Sequence, residues 1–275
     1  MPAPVQPKAS ASVILIDPGR GGQEPFGVFL LRRSQKSSFM PDRFVFPGGR
    51  VEPADGPDAT ARATLRRCAL RELWEEAGVL IASHVDGRPA GAAEQARLAA
   101  ALAAGWDFGQ ALAAGSLDLD PGRLRLWDNW ITPVARPQRF DTMFFLASLP
   151  AGQEAACDQH ETSEGLWLGP AAALMANQAG RVGLAPPQVR LLGQLAALSL
   201  AQVQALLAGS EQPLDHSPVM PVLWAGDGLR VVLLPWDRDY ALGRPADPAD
   251  MGQPCPAGRA SRLVDDRGRW LPYQA

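Results

Sequence analysis

Residues 71–80 read RELWEEAGVL, a stretch in which Glu72, Glu75 and Glu76 surround a tryptophan and are followed closely by Gly78. In an α-helix, residues at i, i+3 and i+4 lie on one face, so these three carboxylates are predicted to be neighbours. The apolar residues fall roughly on the opposite face: Leu70, Leu73, Ala77 and Leu80. The pattern predicts an amphipathic helix that packs on a sheet and presents a cluster of negative charge.

The carboxylate cluster has two explanations, a solvated helix face or a binding site for a divalent cation. Neighbouring like charges destabilise a helix by some tenths of a kcal/mol per pair, and a surface helix usually relieves this with a basic residue at i+4. Positions 79 and 80 are instead Val and Leu. Carboxylate oxygens are ligands that suit Mg²⁺ or Mn²⁺. Helix geometry alone leaves both explanations open.

The segments before the cluster predict strands and then a long helix. Ser12–Asp17 and Gly27–Arg32 are apolar runs joined by a turn-rich loop, which predicts a β-hairpin. The run FVFPGGRVE follows, and its proline and glycines predict a tight turn. From Asp58 the chain is predicted to be helical, with Asp58 or Thr60 as the N-cap and Gly78 as the C′ residue.

The remainder predicts a decorated α/β domain. Residues 84–128 are rich in alanine and are predicted to form a helical insertion or lid. Strands are predicted at 130–132, 141–149 and 165–170, a helix from Ala171, one amphipathic helix over Leu191–Leu207, and two final strands after it. The predicted division is a domain over 8–182 that contains the 84–128 insertion, with a C-terminal extension over 183–275.

Composition excludes several classes of protein. The formal net charge of −3 gives no electrostatic reason to expect nucleic acid or an anionic membrane as a partner. Three widely spaced cysteines predict reduced thiols in a cytoplasmic protein and not a disulfide framework. The N-terminal residues lack the pattern of a secretory signal, and no apolar run has the length that spans a bilayer.

Two motifs, FPGGRVEPAD and RELWEEAGVL, together resemble the Nudix box, in which a glycine-led loop precedes a helix bearing R-E-x-x-E-E-x-G. Gly49 matches the leading glycine, and Asp55 stands where the family usually has its first glutamate. The helical half matches at every position: Arg71, Glu72, Glu75, Glu76 and Gly78. Fifteen residues separate Asp55 from Arg71, which is a longer spacing than the usual one and predicts an insertion within the box.

The resemblance implies an α/β/α Nudix sandwich with a mixed β-sheet, and a diphosphatase that depends on Mg²⁺ or Mn²⁺. It implies that Glu72, Glu75 and Glu76 are catalytic and ligate the metal. A carbonyl of Gly48 or Gly49 would be a further ligand. Arg71 cannot ligate a cation, and its planar fork is expected to hold a carboxylate through a bidentate pair. The general base is expected in the stretch DQHETSEGLWL, with Glu161 and Glu164 as candidates.

The substrate class follows from a wider resemblance. The stretch LLRRSQKSSFMPDRFVFPGG is similar to the approach to the box in coenzyme A diphosphatases, with Arg33 and Ser34 at matching positions. The stretch FMPDRFVFPGGRVEPAD is more similar to a branch of acyl-coenzyme A diphosphatases whose Nudix box also carries an insertion. This resemblance implies phosphate contacts from three arginines: Arg33, Arg43 and Arg139. Ser34, Gly48 and Gly49 complete the expected substrate-binding residues.

The sequence therefore leaves three hypotheses about function open. The first is a hydrolase of coenzyme A or acyl-coenzyme A that yields 3′,5′-ADP and 4′-phosphopantetheine. The second is the same fold acting on ADP-ribose, a dinucleotide or a nucleoside diphosphate sugar. The third is a non-catalytic Nudix-like binding domain, against which the intact glutamates argue. The insertion and the C-terminal region are expected to shape the substrate cleft or to form the interface of a homodimer.

Overall fold

The computed structural model describes residues 4–37, 40–158, 162–209 and 217–275. The strands are β1 Lys8–Asp17, β2 Gly27–Arg33, β3 Phe44–Val45, β4 Gly48–Arg50, β5 Ala82–His84, β6 Leu117–Leu119, β7 Arg125–Ile131, β8 Phe140–Ser148, β9 Thr162–Leu168, β10 Val222–Gly226, β11 Leu229–Leu233, β12 Gln253–Pro254, β13 Arg262–Asp266 and β14 Arg269–Gln274. The helices are α1 Arg62–Ala77, α2 Ala92–Ala103, α3 Phe108–Ala114, α4 Pro170–Gln178, α5 Pro186–Leu195 and α6 Leu200–Ala208.

A mixed sheet of seven strands forms the centre of the described fold, with the order β3-β2-β1-β8-β7. β1 and β8 run parallel along nearly their whole length, and β1 and β2 form the predicted antiparallel hairpin. β4 pairs with the first half of β1, and β9 pairs with β2. The pairing of β4 with β1 holds the glycine-rich turn beside the centre of the sheet, directly in front of α1.

The two faces of this sheet are both covered, as the alternation of buried residues along β1 requires. Val13 and Leu15 belong to a cluster that contains the apolar side of α1. Ile14 and Ile16 point to the other face, where they join a cluster that contains residues of α4 and α5. The predicted α/β/α sandwich with a mixed sheet is therefore confirmed.

Helix α1 begins later than the sequence analysis predicted. Asp58 and Thr60 both lie outside it, and Ala61 is the N-cap. The Asp58 carboxylate accepts hydrogen bonds from the N–H and hydroxyl of Thr60, so it closes a turn of its own and does not cap the helix. The predicted end is correct, because Gly78 adopts a left-handed conformation with φ of 66° and its N–H donates to the Trp74 carbonyl.

The prediction of one helix over Leu191–Leu207 is wrong, because two helices, α5 and α6, meet there at a bend of 104°. The break follows from Ser199, whose hydroxyl accepts a hydrogen bond from the N–H of Gln202 and starts α6. The Gln202 side chain caps the Ser199 N–H in return. Among the described residues, no single helix is long and apolar enough to cross a membrane. Only when α5 and α6 are taken together, as a bent pair, do their length and composition reach that requirement.

The C-terminal part adds an antiparallel sheet with the order β10-β11-β13-β14-β12. Its residues Val232, Leu263 and Trp270 belong to the same apolar cluster as Ile14 and Ile16 of the central sheet. The C-terminal sheet therefore shares its core with α4, α5 and the central sheet, and this packing brings α5 and β11 to the cavity beside the glycine-rich turn.

The insertion between α1 and β7 contains α2 and α3 and is closed by a ribbon of β5 and β6. Its apolar residues, among them Leu98 and Leu112, pack against Trp74 on the back of α1. Arg125–Ile131 forms strand β7 of the central sheet, so the last residues of the predicted 84–128 segment belong to the sandwich. The insertion thus braces the helix that carries the three glutamates.

Glu94 holds the insertion together through charge, and replacing it by Gln is expected to destabilise the protein in a pH-dependent way. The hydrogen bond from the Gly91 N–H is the main cause that lowers the Glu94 pKa from 4.5 to about 2. Because the folded pKa lies below the unfolded one, the charged group stabilises the fold above the ordinary pKa. That contribution is lost as the pH falls toward 2. Urea unfolding should show that wild type has a larger free energy of unfolding than Glu94→Gln, and that this difference shrinks as the pH falls. A difference that does not change with pH would contradict a stabilising role for the Glu94 charge.

Candidate active site

A cavity of about 450 Å³ opens beside the glycine-rich turn, where α1, the end of β7 and the C-terminal extension meet. Four carboxylates line it: Glu52, Glu72, Glu75 and Glu76. Arg33, Arg50 and Arg71 also line it. The structure thus brings the three glutamates of the helix to one cavity, together with an acidic residue from the turn.

Arg71 lies at the centre of the charged network and is almost fully buried. Its Nε and Nη2 each lie 2.9 Å from one Asp55 oxygen, which is a bidentate ion pair of the kind expected from its planar fork. Its Nη1 donates to Glu72 at 2.9 Å and to Glu75 at 2.7 Å. Asp55 accepts a further bond from the Glu52 N–H. The long loop between Asp55 and α1 therefore still delivers Asp55 to Arg71.

The glycine-rich turn lies directly against the glutamates. Glu76 is 5% exposed, and its Oε2 accepts a hydrogen bond of 2.8 Å from the Gly48 N–H. The Glu72 carboxylate occupies the space beside Gly49, where an added Cβ would lie only 2.4 Å from Oε1. Any side chain at position 49 would displace this carboxylate, which explains the glycine.

The protonation of these groups follows from burial and neighbouring charge. Burial alone would lower the pKa of Arg71, but the hydrogen bonds and charges of Asp55, Glu72 and Glu75 raise it above its ordinary value. Burial raises the pKa of Glu75, and the Arg71 charge opposes this only in part. Arg71 is thus a permanent cation, and a further cation near Glu75 would favour its ionised form.

The carboxylates at this cavity are donors of a chemical type that suits a divalent cation. Among the described residues, no three acidic, histidine or cysteine side chains are already arranged as a metal site, and Arg71 Nη1 bonds both Glu72 and Glu75. The four carboxylates at this cavity nevertheless offer hard oxygen donors, and Gly49 leaves the space that the Glu72 carboxylate occupies. Such a set suits Mg²⁺ or Mn²⁺ and not a soft metal.

The predicted substrate-binding residues divide into two groups. Arg33, Gly48 and Gly49 line the cavity with the glutamates. Three others do not: Ser34, Arg43 and Arg139. Ser34 accepts a bond from Lys36 N–H in a turn, Arg43 donates to the Gly268 carbonyl, and the buried Arg139 donates to the carbonyls of Thr132 and Val5. Arg139 thus ties the segment after β7 to the N-terminal segment, and its Nη2 lies 3.5 Å from the Met220 sulfur.

The two candidates for the general base have different outcomes. Glu161 lies outside the described residues. Glu164 is on β9, where its carboxylate pairs with Arg32 at 3.4 Å, and it does not line the cavity that holds the other glutamates. The role of either glutamate as the base stays a prediction.

Four residues at the cavity that the proposed function uses were missed by the sequence analysis: Arg50, Glu52, Trp130 and Gln188. Glu52 had a signal, because it belongs to the glycine-rich motif and precedes the matched acid by three positions. Trp130 was predicted only as part of a strand. Gln188 lies at the start of α5, well over 100 positions along the chain from the glutamates, and nothing local indicates that tertiary packing brings it to the cavity.

Comparison with known proteins gives matches over most of the chain. A model described as the NUDT19 Nudix domain matches residues 57–195, and a model described as the NUDIX domain matches residues 6–95. Acyl-coenzyme A diphosphatase NUDT19 of Gallus gallus is 30% identical, covering 94% of this chain and 85% of that protein. Putative nudix hydrolase 7 of Caenorhabditis elegans is 30% identical, covering 87% and 76%. The crystal structure of a NUDIX hydrolase from Alicyclobacillus acidocaldarius is 29% identical with a TM-score of 0.62, covering 77% of this chain and all of that one.

Proposed function

Because this chain belongs to the Nudix hydrolase family, we propose that it cleaves the diphosphate of coenzyme A or an acyl-coenzyme A to 3′,5′-ADP and 4′-phosphopantetheine. The relative from Gallus gallus bears the name of this activity and aligns with nearly the whole chain. The human protein of the same name is 29% identical over 79% of the chain. The proposal includes Mg²⁺ or Mn²⁺ as the cofactor.

The observation that carries the substrate proposal is that one cavity is lined by both charged and apolar side chains. Its charged residues are the four glutamates with Arg33, Arg50 and Arg71. Its apolar residues include Val45, Phe46, Trp130, Phe144, Pro186 and Pro187. A diphosphate suits the charged residues. An aliphatic arm attached to that diphosphate suits the apolar ones, since burial of its methylene groups is favourable.

Two unpaired polar atoms support an arm that contains amides. Both Trp130 and Gln188 line the cavity, and each is about 95% buried. Among the described residues, Nε1 of Trp130 and Oε1 of Gln188 have no hydrogen-bond partner. A buried polar group without a partner is costly, and a ligand that supplies one gains that energy. Both atoms are closed to solvent in the structure, so in this proposal the two side chains turn into the cavity to pair with the secondary amides of a pantetheine arm.

The charged residues have distinct tasks in this proposal. Glu72, Glu75 and Glu76 would hold the divalent cation, which supplies charge neutralisation of the diphosphate and lowers the pKa of water. Arg71, fixed by Asp55, donates to Glu72 and Glu75 and orients both carboxylates. Gly48 and Gly49 bring the backbone of β4 against the carboxylates. Arg33 and Arg50 face the same cavity and would attract the phosphate charge.

Mass spectrometry of reaction products tests the proposal directly. Purified protein is incubated with Mg²⁺ and an equimolar mixture of coenzyme A, ADP-ribose and NADH, with the Glu76→Gln variant as the control for contaminating activities. We expect 3′,5′-ADP and 4′-phosphopantetheine from the wild type alone. AMP from the other two substrates, with coenzyme A intact, would retain a Nudix hydrolase and reject the substrate.

Gln188→Leu is expected to raise the KM for coenzyme A about tenfold with a smaller change in kcat, since one buried hydrogen bond to the arm is lost. Inhibition by 3′,5′-ADP, which lacks the arm, should be unchanged. Steady-state kinetics with both compounds measures the two effects. The matched control is Gln204→Leu on the exposed face of α6. Equal weakening of coenzyme A and 3′,5′-ADP would show a general disturbance of the cavity and contradict the assignment.

A further inference from the structure

A second cavity, of about 470 Å³, is lined by five arginines. They are Arg32, Arg43, Arg181, Arg267 and Arg269. These residues come from β2, from the loop before β3, from the segment after α4 and from the β13–β14 hairpin. A chain with a net charge of −3 therefore gathers guanidinium groups from separate segments at one place, which we call the arginine cavity.

The carboxylates near the arginine cavity do not balance this charge. Arg32 pairs with Asp42 and Glu164, and Arg269 pairs with Asp266. Within the described residues, Arg181 and Arg267 make no ion pair or side-chain hydrogen bond, and both are exposed. Guanidinium groups thus exceed their acidic partners by two. The two unpaired ones carry donors that are free for a ligand.

The side chain of Arg43 is held in a fixed position at the arginine cavity. Its Nη1 donates to the Gly268 carbonyl at 2.5 Å, which fixes the side chain to the β13–β14 turn. Gly183 leaves the necessary room, because an added Cβ there would lie 2.9 Å from the same nitrogen. One arginine is therefore held in position by the fold while two others stay free.

The arginine cavity is separate from the active site. Arg32 and Arg33 are successive residues of β2, at the point where its pairing with β9 is irregular. Arg33 lines the active-site cavity and Arg32 lines the arginine cavity. The two sets of lining residues have no member in common, although Met40 borders the first cavity and Pro41 borders the second.

We propose that the arginine cavity is a second anion-binding site, which takes a phosphate or polyphosphate group. The planar fork of arginine matches phosphate oxygens, and several such forks around one cavity favour a multiply charged ligand. The phosphate belongs either to a free phosphate-bearing metabolite or to the 3′-phosphate of a coenzyme A molecule. The inference does not depend on the proposed diphosphatase activity, since binding is the property claimed.

Binding of inorganic tripolyphosphate tests this site. Isothermal titration calorimetry at low ionic strength, with EDTA to exclude divalent cations, compares wild type with Arg181→Gln/Arg267→Gln. We expect saturable binding by wild type and at least about a tenfold weaker affinity for the double variant. Both positions are exposed and unpaired, so the thermal midpoint should not change. The matched control is Arg244→Gln/Arg259→Gln, two exposed arginines outside both cavities. Equal affinity of wild type and Arg181→Gln/Arg267→Gln would overturn the proposal.

Competition identifies the source of the phosphate. Displacement of tripolyphosphate by coenzyme A, but not by 3′-dephospho-coenzyme A, would assign the site to the 3′-phosphate of the substrate. No displacement by either would assign it to a separate metabolite, and both results support the site. Binding to vesicles that contain phosphatidylserine, without saturable binding of tripolyphosphate, would instead indicate a membrane contact and reject the proposal.

Discussion

Glu76→Gln is expected to lower kcat for diphosphate hydrolysis by about 10²–10³-fold, an effect of a few kcal/mol on the barrier. Glutamine keeps the size of the side chain, and its amide oxygen can still accept the bond from the Gly48 N–H. The glycine-rich turn should therefore stay in position, and the variant loses only one negative charge from the cavity. Steady-state kinetics with coenzyme A and Mg²⁺ measures the loss, and titration with Mn²⁺ followed by electron paramagnetic resonance measures cation affinity.

The control for this variant is Glu154→Gln, an exposed glutamate paired with Arg20 outside the cavity. It loses the same charge elsewhere and should retain wild-type activity. Both variants should unfold at similar urea concentrations, because glutamine at position 76 can keep the bond from the Gly48 N–H and Glu154 is exposed. Full activity of Glu76→Gln, or lost activity with unchanged Mn²⁺ affinity, would mean that Glu76 does not hold the cation.

The sequence was sufficient for the features that depend on local pattern. Glu72, Glu75 and Glu76 share one helix face because helical periodicity requires it, and Gly78 ends that helix because its left-handed conformation suits glycine. The β1–β2 hairpin follows from two apolar runs and a turn-rich loop. The break before α6 also had a local signal, since Ser199 and Gln202 have the spacing of a capping box.

The features that sequence reasoning missed depend on distant contacts. Gln188 reaches the active-site cavity only because the C-terminal extension packs on the same core as the central sheet. Arg43 was predicted to contact substrate because its neighbours resemble a motif, yet the side chain is held by the Gly268 carbonyl in the other cavity. Arg139 is a further case. It donates to the carbonyls of Thr132 and Val5, and no sequence pattern reveals these contacts.

Arg71→Met is expected to cost about 3–5 kcal/mol of unfolding free energy, which is the range for removing one partner of a buried ion pair. Methionine keeps the apolar stem but removes the guanidinium that pairs with Glu72 and with Asp55, which is 4% exposed. Urea unfolding measures the change. The matched control is Arg67→Met, an exposed arginine of the same helix, for which a change within about 0.5 kcal/mol is expected.

A second substitution separates lost charge pairing from lost packing in this variant. If the cost arises from the unpaired Asp55 carboxylate, then Asp55→Asn should recover part of the stability in the Arg71→Met background. The same change should destabilise the wild type, so the double-mutant cycle should give a coupling of about 1–3 kcal/mol. Hydrolysis should stay low in the double variant, because Glu72 and Glu75 still lack the guanidinium that orients them. Additive losses would show that Asp55 and Arg71 act independently. Recovery of activity along with stability would show that Arg71 serves only the fold.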